Sequence, residues 1–81
     1  MRLSVQFFSQ LKEIVGADEA ALDLPAGTTV ADLLAQLYER FSKLEKWDSS
    51  ILVGVGVDFV ERDHVLQPDD QIAIMPPVQG G

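Results

Sequence analysis

The chain has 81 residues, 47% of them hydrophobic, no cysteine and a formal net charge of −7. That length allows one small core and no second domain, the lack of cysteine excludes disulfides and thiolate metal sites or nucleophiles, and the acidic balance disfavours nucleic acid and favours a basic protein surface as partner. No run is long enough to span a bilayer and the start Met1-Arg2-Leu3-Ser4 carries no signal-peptide hydrophobic stretch, so a soluble, cytoplasmic protein with no membrane partner is expected.

Leu3 to Phe8 alternates, with Leu3, Val5 and Phe7 on one face and Arg2, Ser4 and Gln6 on the other, which predicts a half-buried strand. Phe8 breaks the alternation by placing an aromatic on the polar face. It either folds back over an edge or stands out as a docking residue. Ser9 to Gly16 predicts a short connecting helix with Leu11, Ile14 and Val15 inward and Gly16 as its stop. Glu19 to Leu24 reads as a second strand closed by the turn Pro25-Ala26-Gly27.

Thr29 followed by Asp32 is a capping-box-like helix start, with Thr28 as a competing N-cap. Val30, Leu33, Leu34, Leu37, Tyr38 and Phe41 then recur at helical spacing, so one stripe packs on a sheet. Ser42 to Ser50 reads as a charged connector with Trp47 capping the rim of the core. Ile51 to Val57 reads as a strand with Ile51, Val53, Val55 and Val57 on one face and Leu52, Gly54 and Gly56 opposite. No third glycine opens a helix, so Gly54 and Gly56 do not form a dinucleotide fingerprint and point to close backbone approach or a bulge. Asp58 turns the chain into the short segment Phe59 to Glu61, with Phe59 a candidate exposed residue.

The Pro68-Asp69-Asp70 turn leads to a last strand, Gln71 to Met75, with Ile72 and Ile74 inward and Met75 outward. His64 beside Asp63 has no second histidine or nucleophile to make an acid–base pair. Asp69 and Asp70 are too few oxygen donors for a calcium cage, so no metal site is expected.

The chain closes on Met75-Pro76-Pro77-Val78-Gln79-Gly80-Gly81. The prolines lack amide protons and predict a stiff, extended exit from the strand, and the segment after Met75 reaches about 20 Å. A body of residues 1–75 and a tail of residues 76–81 are expected. Two glycines without Cβ atoms fit a constricted channel and leave the terminal carbonyl carbon open to a nucleophile. A carboxylate there needs activation, as an acyl-adenylate, before sulfur or nitrogen attacks it. The plain alternative is a frayed, small-residue terminus.

Strand, connector, strand, helix, two strands and a final strand predict an α+β mixed sheet with one main helix packed on one face. The first and last strands, if neighbours, run parallel. Their C-terminal ends then meet and bring Phe8 and Met75 together on the face away from the helix, with Phe59 nearby.

Three stretches carry a family resemblance: Val5 to Gly16, the Asp63–Asp70 loop into the last strand, and above all Met75-Pro-Pro-Val-Gln-Gly-Gly81. Over essentially its whole length the chain resembles the small, sulfur-carrying subunit of molybdopterin synthase, a ubiquitin-like β-grasp family. It departs from many relatives at Gly56, where they carry asparagine, and at Lys12, where they carry arginine. The resemblance implies that an adenylyltransferase using ATP and Mg2+ activates the Gly81 carboxylate. A sulfur donor protein then converts it to a thiocarboxylate, and the tail Pro76, Pro77, Val78, Gln79, Gly80 and Gly81 enters a pocket of the large synthase subunit. Sulfur passes there to cyclic pyranopterin monophosphate to build the molybdopterin dithiolene. It also implies that Phe8, Phe59 and Met75 pack against these partners, that no cofactor is tightly bound, and that the acid–base groups belong to the large subunit. A thiamine-type sulfur carrier, a modifier joined to lysine through Gly81, and a pure interaction domain are the competing readings.

Overall fold

The computed structural model describes residues 1–77. The alternation of the first segment is realised in β1 (Arg2–Phe7), whose Leu3, Val5 and Phe7 are buried while Arg2, Ser4 and Gln6 are exposed. The segment stops one residue before Phe8, which is instead the extended N-cap of α1 (Ser9–Val15). Gly16 closes α1 with φ 79° and donates its N–H to the Lys12 carbonyl at 2.9 Å, a left-handed stop that a side chain would strain. Next, β2 (Glu19–Asp23) pairs antiparallel with β1, and Leu24, which was expected to end the strand, lies buried just beyond it.

The principal helix, α2 (Val30–Arg40), starts as the capping pattern requires. Thr29 Oγ1 accepts from the Asp32 N–H and Asp32 Oδ2 accepts from the Thr29 N–H, both at 3.2 Å. Thr28 is not the cap; its hydroxyl is buried and donates to the Pro25 carbonyl at 2.7 Å. Val30, Leu33, Leu34 and Leu37 are buried against the sheet residues Leu3, Val5, Phe7, Val53, Ile72 and Ile74. Phe41 terminates the helix and meets Phe7 edge-on with ring centroids 5.9 Å apart.

Three expectations are corrected beyond this point. Ser42–Ser50 is a nine-residue 3-10 helix rather than a connector, and it buries Leu44 completely. β3 (Leu52–Val55) and β4 (Asp58–Val60) form a hairpin in which Val55 faces Asp58 across the loop Gly56-Val57. Val57, expected to share the face of Ile51, Val53 and Val55 within one strand, lies in the turn and is 99% exposed. Gly56 has φ 64° and nothing within 4 Å of where a Cβ would stand. Its role is a two-residue turn with glycine first, not close packing.

β5 (Gln71–Met75) lies between β1 and β3, parallel to the first and antiparallel to the second, in a five-stranded mixed sheet of order β2-β1-β5-β3-β4. The helices cover one face, as expected for a β-grasp. Pairs Gln6–Ala73 and Phe7–Ile74 bring the C-terminal ends of β1 and β5 together, so Pro76 leaves the sheet beside the start of α1.

Candidate functional site

The junction of β1, α1 and β5 is where the sequence-predicted residues gather. The Phe8 N–H extends the parallel ladder by donating to the Ile74 carbonyl at 3.1 Å, which fixes the Phe8 backbone while its side chain stays 43% exposed. Phe8, Trp47, Met75, Pro76 and Pro77 line a groove of about 780 Å³, with Glu13 among its polar residues. The lining is mixed, with Ser9, Gln10 and Glu13 beside the apolar residues, and the root of the tail forms part of it.

Met75 belongs to this groove and also to a small depression of about 80 Å³ that it shares with Gly54, Ala73 and Phe59. A Cβ added at Gly54 would meet Met75 Cε and the Asp58 carbonyl oxygen, each at 3.6 Å. These are ordinary van der Waals distances, so Met75 packs over the hairpin with room for a Cβ beneath it. Phe59 is 64% exposed, so Phe8 and Phe59 flank Met75 on a partly continuous apolar surface. Pro76 and Pro77 are half-buried and follow β5 without joining a strand. Val78, Gln79, Gly80 and Gly81 lie outside the described residues.

Beside one wall of the groove stands a polar cluster that sequence reasoning missed. Tyr38, on α2, donates its hydroxyl to the Asp48 carboxylate at the end of the 3-10 helix. Arg62 donates from Nη1 to Asp48 Oδ1 at 3.0 Å and from Nη2 to the Asp48 carbonyl at 2.6 Å. Burial, then the hydrogen bond to Asp48, raises the Tyr38 hydroxyl far above its ordinary range. The hydrogen bonds from Tyr38 and Arg62 hold the Asp48 carboxyl below its ordinary range. Asp48 directly follows Trp47, whose indole walls the groove. The indole Nε1 is itself buried, with no hydrogen-bond partner among the described residues. Three residue types spread from position 38 to position 62 leave no local pattern by which sequence could have joined them.

His64 serves through its backbone: its carbonyl accepts from the Val30 N–H at 3.0 Å, at the start of α2. Asp69 takes φ 71° in a turn that the Asp70 N–H closes onto the Gln67 carbonyl at 3.2 Å. Among the described residues no cluster of three or more His, Cys, Asp or Glu is placed to hold a metal ion. No helix among them is long and apolar enough to cross a membrane.

A mixed five-stranded sheet wrapped on one face by a principal helix, with the last strand central and leading into a Pro-Pro exit, defines a ubiquitin-like β-grasp protein. The chain belongs to the ThiS family, whose model it matches over residues 5–81, and to the molybdopterin synthase sulfur carrier subunits. It is 36% identical to the molybdopterin synthase sulfur carrier subunit of Escherichia coli (strain K12), across 98% of this chain and 99% of that one. Among solved structures it is similar to a Pyrococcus furiosus protein provisionally assigned as molybdopterin converting factor, subunit 1. That match has 26% identity and a TM-score of 0.87 over 96% of this chain and 99% of the other. The fold also matches, at 20% identity and a TM-score of 0.72 over the full length of both chains, a chain in the complex of subunits 1 and 2 of the Helicobacter pylori molybdopterin-converting factor.

Proposed function

We propose that residues 1–75 act as a docking body and residues 76–81 as a delivery tail, with the Gly81 carboxylate as the carried reactive group. The match to the E. coli sulfur carrier along nearly the whole of both chains carries this reading. An adenylyltransferase uses ATP and Mg2+ to join the Gly81 carboxylate to AMP with loss of pyrophosphate. Sulfide-level sulfur released by a sulfur donor protein then attacks the acyl carbon, the C–O bond to AMP breaks, and AMP departs to leave a thiocarboxylate. The large subunit of molybdopterin synthase receives the tail and directs that sulfur to cyclic pyranopterin monophosphate. The helper groups for proton transfer reside on the large subunit, so this chain contributes an activated acyl group and its placement.

Phe8, Met75 and Phe59 supply the docking face, and Pro76 and Pro77 aim Val78, Gln79, Gly80 and Gly81 into the partner. The Helicobacter pylori complex of subunits 1 and 2 supports a heteromeric assembly of this type. The test is intact-mass spectrometry of the full chain after incubation with its activating enzyme, ATP, Mg2+ and sulfur donor. Exchange of one terminal oxygen for sulfur is expected. Deleting Gly81 is expected to abolish both that exchange and product formation while the circular dichroism spectrum stays unchanged. Normal product formation by the deletion variant would rule the reading out.

A further inference from the structure

Ser9 has φ 53°, in the left-handed region that L-residues other than asparagine and aspartate seldom enter. It sits where β1 gives way to α1. On one side, Phe8 is extended, with φ −122° and ψ 152°, and its N–H still holds the Ile74 carbonyl at 3.1 Å. Its own carbonyl already accepts the Leu11 N–H at 3.2 Å. The sheet ladder and the first helical turn therefore share a single residue, and the change of course falls on Ser9. Phe8 faces away from the core because its extended backbone continues the alternation of β1, and the change of course at Ser9 then brings α1 back so that Leu11, three residues on, is buried. Ser9 and Phe8 line the groove that Trp47 borders from the 3-10 helix and that the root of the tail completes. A costly backbone at the edge of such a groove is strain retained by its surroundings.

We propose that Ser9 is a positioning residue for docking: its left-handed backbone sets the course of α1 away from the end of β1 and keeps the groove open between Phe8, Trp47 and the root of the tail, so that a side chain of the large subunit seats there. This rests on the reading that the body docks on the large subunit. Trp47 is the single tryptophan of the chain and reports the groove without any partner.

The experiment compares Ser9→Gly, Ser9→Asn and Ser9→Val in the full chain, measuring Kd for the large subunit by calorimetry and acrylamide quenching of Trp47 in the free protein. Glycine and asparagine accept the left-handed backbone and are expected to keep Kd within about threefold, with quenching unchanged. Valine, branched at Cβ, is expected to weaken binding by about tenfold or more and to alter Trp47 quenching. If the valine variant does not fold, Ser9→Ala carries the same two readouts with smaller shifts. Unchanged quenching in the folded valine or alanine variant overturns the proposal, as does equal weakening by glycine and valine. Phe8→Asp, measured in parallel, separates the two ideas: normal binding by that variant removes the docking reading, and the partner-free quenching still decides whether Ser9 shapes the groove.

Discussion

At the scale of single residues, the group with the clearest physical signature is Tyr38 with Asp48 and Arg62. Each hydrogen bond joins a neutral or cationic donor to a carboxylate, and such bonds to a charged partner contribute about 1.5–3 kcal/mol when shielded. Asp48 and Arg62 are 49% and 39% exposed at their side chains, so the ion pair itself sits at the weak end, diminished by solvent. The pH signs follow from the two shifts. Asp48 has a folded pKa below its unfolded one, so its contribution is present above about pH 4 and fades as acid protonates it in the folded state. Tyr38 has a folded pKa above its unfolded one, so its contribution is present below about pH 10 and is lost on going further alkaline. Tyr38→Phe should therefore lower stability by about 1–2 kcal/mol at neutral pH, and should flatten the alkaline decline in Tm while leaving an acid decline in place. Thermal melts of both proteins from pH 3 to pH 11, read by far-ultraviolet circular dichroism, check the claim. An alkaline limb that persists unchanged in the phenylalanine variant would show that Tyr38 does not govern it.

At the scale of elements, the 3-10 helix Ser42–Ser50 is a structural member on which the groove relies. Leu44 is fully buried in the common core, and the segment lies against both α1 and α2. Leu44→Ala should cost about 2–4 kcal/mol, the usual range for a buried leucine that leaves an unfilled cavity. Urea unfolding measures it, and a loss under 1 kcal/mol would mean that this segment is only a covering loop. The element was illegible as a helix because the reading looked for a 3.6-residue period, and nine residues rich in charge showed none. The spacing Phe41, Leu44, Trp47 is instead three residues, the repeat of a 3-10 helix. Strict two-residue alternation made β1 and β5 legible, and the capping pair with its long stripe did the same for α2. The same alternation misled at Val57, because it was carried through Gly56 into a hairpin turn. Phe8 and Met75 were legible as site candidates for the opposite reason. Each interrupts an otherwise regular pattern at the end of a strand, whereas Trp47 entered the groove through packing that no local pattern records.

At the scale of the molecule, an apolar face lies beside the tail root on a body of net charge −7. The two features act on different quantities. In the proposed complex, long-range attraction to a basic partner would speed the encounter and be screened by salt, while desolvation of Phe8 and Met75 would slow dissociation and not be screened. Phe8→Asp tests the second quantity cleanly, since a side chain already 43% exposed contributes little to the core. It removes the burial of the exposed part of an aromatic ring, about 1 kcal/mol, and places a carboxylate against an apolar partner surface. A rise of about fivefold in Kd for the large subunit is expected from the ring alone, and more with the carboxylate, carried mostly by the dissociation rate, with Tm within about 3 °C of the parent. Raising ionic strength should slow association of parent and variant alike, by about tenfold between low and high salt. Surface plasmon resonance at two salt concentrations separates the rates. If salt changed dissociation instead, or Phe8→Asp changed association alone, the division between acidic steering and apolar anchoring would be wrong.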